Sequence, residues 1–263
     1  MAYSFQNDRF ALEYVESQVY DHVLWESHCH PQFEMIAVLE GDVNVTAEGQ
    51  SYRLKTAQAA IIPPLCYHSV TANEKGVYRR VTALFGGSMI PEPLAAHFSE
   101  NTDAITIFPA ERSDRLKAIC QSSDPLFYYP LAESLMVQIL YDTLNAPKQV
   151  TEMGSDPFLQ RISLYVDEHI HEKILLDDLA VLTSRSRSSL CHLFEEKMNV
   201  SPKQYVLQKK LALASKLIAE GTPPTVAAMQ VGYDNYSNFY RMYLKHFGKN
   251  PKEQKTEQTQ KSV

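Results

Sequence analysis

The chain has 263 residues, 44% hydrophobic and 21% charged, which is material for about two ordinary globular domains. It has no apolar run of about 18 residues, so no transmembrane span or membrane partner is predicted, and the opening MAYSFQNDRF lacks the basic-then-apolar order of a secretory leader. Four scattered cysteines (Cys29, Cys66, Cys120, Cys191) without a CxxC pair argue against a disulfide framework or a zinc finger and for a reducing, cytoplasmic setting. The net charge of −6 divides unevenly: residues 155–263 hold 15 Lys/Arg against 12 Asp/Glu, or +3, and residues 1–154 hold 10 against 19, or −9. Only the C-terminal part is thereby suited to meet phosphate.

Residues 10–86 read as short strands. VYDHVLW, FEMIAVLE, DVNVTAE, SYRLK, AAIIPP and YRRVTALF are rich in β-branched and aromatic residues and often alternate apolar with polar. Breaks at Gly41-Asp42, Glu48-Gly49, Pro63-Pro64 and Asn73 to Gly76 have the close spacing of an antiparallel sandwich or barrel. After Gly86-Gly87 a short helix is expected near Glu111–Cys120. A better one is expected over Leu131–Leu144, where Ala132, Leu135/Met136, Ile139/Leu140 and Leu144 recur at helical spacing. The polar segment APKQVTEMGSDP, 146–157, reads as a linker.

Beyond it strand signals vanish, and helices are predicted near 157–170, 176–183, 187–198, 202–220, 223–231 and 235–247, with a short one after Pro251. Asp156-Pro157, Ser201-Pro202 and Thr222-Pro223 supply start signals. Gly221, Gly232 and Gly248 stand where helices should stop. The polar tail, 253–263, reads as frayed.

Two segments share one form. LLDDLAVLTSRSRSSLCHLF (175–194) and TVAAMQVGYDNYSNFYRMYL (225–244) each give a short helix, a tight turn and a second helix that starts polar and closes on an aromatic. In a helix-turn-helix a small residue on the first helix lets the second pack closely, and the second presents its N-terminal residues to base edges in the major groove. Ala180 and Ala228 hold the small position, while Leu190/Phe194 and Phe239/Tyr243 are i, i+4 pairs aimed at the core. The candidate DNA contacts are Arg187, Ser188, Ser189, Cys191 and His192 on one helix and Tyr236, Ser237, Asn238, Tyr240 and Arg241 on the other. Arg pairs bidentately with guanine and Asn with adenine. Lys203, Lys209, Lys210, Lys245 and Lys249 are expected to touch phosphate or simply to be solvated. The helix between the two units would span roughly 28 Å, against ~34 Å between successive major-groove faces, so one chain could reach two adjacent grooves.

Over 158–252 the sequence resembles the AraC/XylS-type transcriptional regulators. The resemblance rests on LA followed by S-R-S-S-L-C-H-L-F, on E-E-K-M-N-V-S-P-K-Q-Y, on K-L-A-L-A-S-K-L-I, and on VGY-D-N-Y-S-N-F-Y-R-M-Y-L-K-H-F-G-K-N-P. It departs at Ala227, where the family carries a larger aliphatic residue, at Pro223-Pro224, and after Pro251, where KEQK replaces the usual Tyr-Arg ending.

In the β region, His28, His30 and Glu34 form H-x-H-x3-E-x6-G with Gly41, and Pro63-Pro64-Leu65-Cys66-Tyr67-His68 follows. His28 and His30, two apart on a strand, would face one side. With Glu34 and His68 they could hold a divalent Mn, Fe, Ni or Zn ion. Over about 20–86 this spacing is similar to the cupin metal motif, and the resemblance implies three alternatives: a bound metal, a metal-free small-molecule pocket, or purely structural hydrogen bonding. Cys29 should point away from its flanking histidines, and Cys66 shares strand parity with His68. The expected effector pocket is His28, His30, Glu34, His68, Trp25 and Tyr67. Aromatic groups beside polar ones suit a sugar or other polar metabolite. The Leu131–Leu144 helix reads as core, and the resemblance implies a role in dimerisation.

The expected fold class is therefore α+β multidomain: a cupin-like β-barrel plus helices over 1–145 and an all-α double helix-turn-helix over 158–252. The function expected is a DNA-binding transcription regulator that answers to a small-molecule effector. Its expected partners are double-stranded DNA, the effector, a second copy of the chain and, for an activator, RNA polymerase. No cofactor is certain; a divalent metal in the cupin-like barrel is the one candidate. The alternative is a metal-dependent cupin enzyme with a DNA-binding tail.

Overall fold

The computed structural model describes residues 2–6, 10–20, 25, 27–99, 105–109, 113–122, 124, 129–145 and 152–253. Two compact units arise, one built on Met1–Glu26 and Gln32–Ser155, the other on Ser27–Pro31 and Asp156–Val263. Among the described residues no helix is long and apolar enough to cross a membrane.

The first unit is β-rich. Its strands are β1 (Ala2–Gln6), β2 (Phe10–Val19), β3 (Phe33–Glu40), β4 (Asp42–Ala47), β5 (Gln50–Lys55), β6 (Gln58–Ile62), β7 (His68–Ala72), β8 (Gly76–Phe85), β9 (Thr106–Pro109) and β10 (Glu152–Ser155). They form a six-stranded sheet in the order β1-β2-β8-β3-β6-β9 and a four-stranded sheet in the order β10-β5-β4-β7, every recorded pairing being antiparallel. FEMIAVLE is β3 from end to end, and each expected break falls at a junction of consecutive strands, with Asp42 and Gly76 themselves opening β4 and β8.

Because strand side chains alternate, β3 serves two cores at once. Phe33, Met35 and Ala37 face a cluster that includes Leu94 and Phe98 of α1 (Glu92–Ser99), Leu116 and Ile119 of α2 (Ser113–Cys120) and Met136 and Ile139 of α3 (Tyr129–Asn145). Ile36 and Val38 face the other way, into a cluster with Val43, Val45, Leu54, Val70 and Tyr78. On α3 the expected apolar positions are buried except Leu144, which is 42% exposed while Thr143 is buried in its stead.

VYDHVLW is not a strand as a whole: Val19 closes β2, Trp25 is irregular, and residues 21–24 lie outside the described residues. The first half of the expected linker, 146–151, also lies outside them. Its second half is not free chain, since β10 pairs with β5 through Glu152–Tyr52 and Ser155–Gln50. Residues 111–112 of the expected helix, and the tail from 254 on, are likewise outside the described residues.

The second unit is helical: α4 (Pro157–Glu168), α5 (Leu176–Leu182), α6 (Arg187–Met198), α7 (Pro202–Ala219), α8 (Pro224–Gln230) and α9 (Tyr236–Phe247). Capping chemistry sets the starts. The Asp156 carboxylate accepts from the Phe158 and Leu159 amides, and Ser201 forms a capping box with Gln204 ahead of Pro202. Ser186 and Asn235 cap α6 and α9, accepting from the Ser189 and Asn238 amides. The core of the second half gathers Leu211, Ala214, Ile218, Ala227, Ala228, Val231, Phe239 and Tyr243. Ala227 is fully buried, so the small residue that departs from the family pattern is seated in this core.

Candidate DNA interface and barrel site

The two helix-turn-helix units repeat each other in backbone detail. In the first, the Ser184 amide donates to the Val181 carbonyl and the Arg185 amide to that of Ala180, with Ser184 left-handed at φ +53°. In the second, Gly232 donates to Met229 and Tyr233 to Ala228, with Gly232 at φ +76°. Both are Schellman closures of the first helix, placed four residues after the small alanine. The offset between units is 48 residues up to this point, from Ala180 to Ala228 and from Ser184 to Gly232. It becomes 49 from the caps onward, from Ser186 to Asn235 and from Leu190 to Phe239, so the second turn is one residue longer.

The inward residues behave alike. Leu190 and Phe194 of α6 and Phe239 and Tyr243 of α9 are buried, and Phe194 meets Tyr205 edge-on at 5.4 Å. Outward, Arg187, Ser188, Ser189 and His192 are exposed and Cys191 is half-buried; on α9, Ser237, Asn238 and Arg241 are exposed and Tyr240 is half-buried. Tyr236 differs from expectation. It packs against the α9 core, tilted on Phe239 at 5.9 Å, and its buried hydroxyl has no hydrogen-bond partner among the described residues. The residue at the start of a helix shares a face with those three and four positions on, and Phe239 is three on. Tyr236 is a packing residue.

Two further corrections concern charge. Lys209 and Lys210 are only 3% and 7% exposed and so are not free for phosphate. Lys209 pairs with Asp167 at 2.7 Å and lies over the Tyr205 ring. Lys210 Nζ donates to the Ile170 carbonyl at 2.9 Å, the Val231 carbonyl at 2.7 Å, and the Glu172 carbonyl. Burial pushes its ammonium down to about 8, which still leaves it charged at neutral pH. Lys203, Lys245 and Lys249 are exposed as expected. The sequence reading also missed Asp177 on α5, whose carboxylate holds the Arg187 guanidinium through two hydrogen bonds.

In the barrel unit, Glu34 and His68 form a buried pair, 7% and 1% exposed, with His68 Nε2 at 2.9 Å from Glu34 Oε2. His68 Nδ1 donates to the Cys66 carbonyl at 3.0 Å, which orients the ring. Burial by itself would lower the His68 value, but the Glu34 carboxylate and the Cys66 carbonyl hold it above the ordinary imidazole range. His28 and His30 do not lie on a regular strand; His28 makes an isolated bridge and is exposed, His30 is half-buried, and their rings are 5.5 Å apart. Cys29 between them is buried.

One nitrogen or carboxylate oxygen from each of His28, His30, Glu34 and His68 lies within 4.8 Å of the others. Three imidazoles and a carboxylate suit a borderline divalent ion, and the Cys66 carbonyl leaves His68 Nε2 turned toward that group. Glu34 and His68 stay paired without an ion.

Of the other expected pocket residues, Tyr67 is fully buried, with its amide donating to Glu48 Oε1 at 2.6 Å, and is a core residue. Trp25 lies 5.2 Å from Tyr78, and the Arg80 guanidinium lies 5.5 Å from the Trp25 ring and 5.6 Å from the Tyr78 ring. The Tyr78 hydroxyl is buried beside the Arg80 guanidinium, and burial pushes it up to about 12. Neither Tyr78 nor Arg80 was singled out from sequence.

Residues 179–256 match the family model of a helix-turn-helix domain, and residues 24–82 match that of a cupin domain. Among curated relatives, "Probable transcriptional regulator LumQ" of Photobacterium leiognathi is 29% identical over 45% of this chain and 51% of its own length. The chain thus spans about half the length of that relative. "Uncharacterized HTH-type transcriptional regulator YdiP" of Escherichia coli is 25% identical over 86% of this chain and 80% of its own. Among solved structures, ToxT of Vibrio cholerae is 13% identical, covering 94% of this chain and 95% of that one, with a TM-score of 0.41.

Proposed function

We propose that this chain, which resembles the AraC-type transcriptional regulators and joins a cupin-like domain to a double helix-turn-helix, reads DNA sequence with α6 and α9 and answers to a small polar molecule in its barrel. The observation that carries the reading is the duplicated turn and cap geometry, which leaves two short helices with polar, exposed N-terminal faces. Arg187, Ser188, Ser189 and His192 are the base- and phosphate-facing set on α6, with Cys191 at its margin. Ser237, Asn238 and Arg241 form the set on α9, with Tyr240 at its margin. Regulation rather than catalysis is supported by relatives that are named transcriptional regulators. The effector reading is supported by the Trp25–Tyr78 ring pair with the Arg80 guanidinium lying over both, aromatic groups beside a charged one. A divalent ion at His28, His30, Glu34 and His68 would add a Lewis-acidic anchor for an oxygen of that molecule. Pairing of two copies is supported by Leu131, Tyr141 and Leu144, which stand exposed on α3.

The test starts from duplexes selected out of a random pool by the full chain. Arg241→Ala is expected to weaken binding to the selected duplex by about 1–3 kcal/mol and to relax preference at one base position. An unchanged affinity and an unchanged preference would remove Arg241 from the reading set.

A further inference from the structure

The buried Lys210 ammonium is the feature that a DNA-reading surface does not explain. It projects from α7, the helix joining the two helix-turn-helix units, and spends all three donors on backbone carbonyls. Ile170 and Glu172 lie in the loop that leaves α4 for α5, and Val231 is the C-cap of α8. Carbonyls at helix C-termini carry partial negative charge, so the ammonium sits where two helix ends, those of α4 and α8, both favour a cation. The contact distances are 2.9 Å to Ile170 and 2.7 Å to Val231.

The neighbouring turn is built around it. A Cβ on Gly232 would lie 2.7 Å from the Glu172 oxygen, 2.9 Å from the His171 oxygen and 2.9 Å from Lys210 Nζ. Two of those atoms are backbone, so no side chain could enter without separating the α4–α5 loop from the second turn. A parallel hydrogen bond, His171 Nδ1 to the Gln230 carbonyl at 2.5 Å, joins the same two segments. A Met at 210 would fill similar space but leave buried carbonyls unsatisfied, which is the costly half of a lost hydrogen bond.

We propose that Lys210 is a positioning residue for two-site DNA reading: it staples the turn between α8 and α9 to the loop that precedes α5, and so fixes the spacing between the two recognition helices. The inference rests on the DNA-reading proposal above. Two reading helices on one rigid body gain avidity because the second contact is intramolecular, and that gain falls when their separation is allowed to wander.

The probes are the duplex selected by the wild-type full chain and the same duplex with one half-site scrambled. Lys210→Met is expected to bind the intact duplex about tenfold or more weakly, while binding to the scrambled duplex stays within about twofold of wild type. Lys210→Arg keeps the charge but replaces a pyramidal donor set with a planar one, and should lose about threefold or more on the intact duplex alone. A residue that only stabilised the fold would weaken both probes together and lower the unfolding midpoint in proportion. If Lys210→Met fails to fold by circular dichroism, Lys210→Arg decides. A folded variant with the wild-type ratio of the two affinities overturns the staple, as does an equal loss on both probes. Failure of the DNA-reading proposal is separate, because the wild-type chain would then select no duplex.

Discussion

Phe239→Ala is expected to destabilise the helical unit by about 3–5 kcal/mol, the usual cost of truncating a buried aromatic. The side chain is fully buried and lies 5.4 Å from Tyr233 and 5.4 Å from Tyr243, ring centre to ring centre. It is also the residue by which α9 is seated on Ala227, Ala228 and Val231. Against a typical total of about 5–15 kcal/mol, such a loss removes much of the margin. Denaturant unfolding followed by far-ultraviolet circular dichroism reads it out. A cost under about 1 kcal/mol would mean that Phe239 is not at the centre of that core.

The second large effect is expected at the buried pair, and it should be asymmetric. His68→Leu leaves the Glu34 carboxylate buried without its imidazolium, and breaking such a pair from one side costs about 3–5 kcal/mol. Glu34→Gln should cost less. The imidazole can shed its proton while Nδ1 keeps the Cys66 carbonyl, and its bare Nε2 then accepts from the Gln amide NH2. The joint change to His68→Leu with Glu34→Leu should be milder than His68→Leu alone, since no charge is then stranded. Because His68 is held above its ordinary value, the contribution of the pair is full below the unfolded value of 6.5 and is lost as pH rises through the folded one. Equal costs for the two single variants would contradict a charged pair.

The helical unit was legible because its signals are local. Ser201-Pro202 and the small alanines act within a few residues of themselves, and α6 was placed to the residue. The strands were legible where alternation was regular, as in β3. What escaped notice depends on distant chain. Lys210 reads as a surface charge until Ile170, 40 residues before it, and Val231, 21 after, supply their carbonyls. β10 reads as polar linker because its partner is the edge of β5. Tyr78 and Arg80 lay in a predicted strand, but nothing local said which would meet Trp25. The extra residue in the second turn also escaped notice, since the caps and recognition helices are offset by 49 residues and the preceding alanines by 48.

These details bear on how one chain reaches two grooves. The Schellman closures fix each first helix, the Ser186 and Asn235 caps start each reading helix, and α7 with Lys210 joins them. Methylation protection of guanine N7 on a selected duplex, at one chain per site, tests this directly. Two protected major-groove patches about one helical turn, ~34 Å, apart are expected, with the patch set by α9 lost in Arg241→Ala. A single protected patch in the wild type, or two that respond equally to Arg241→Ala, would contradict reading by two helices of one chain.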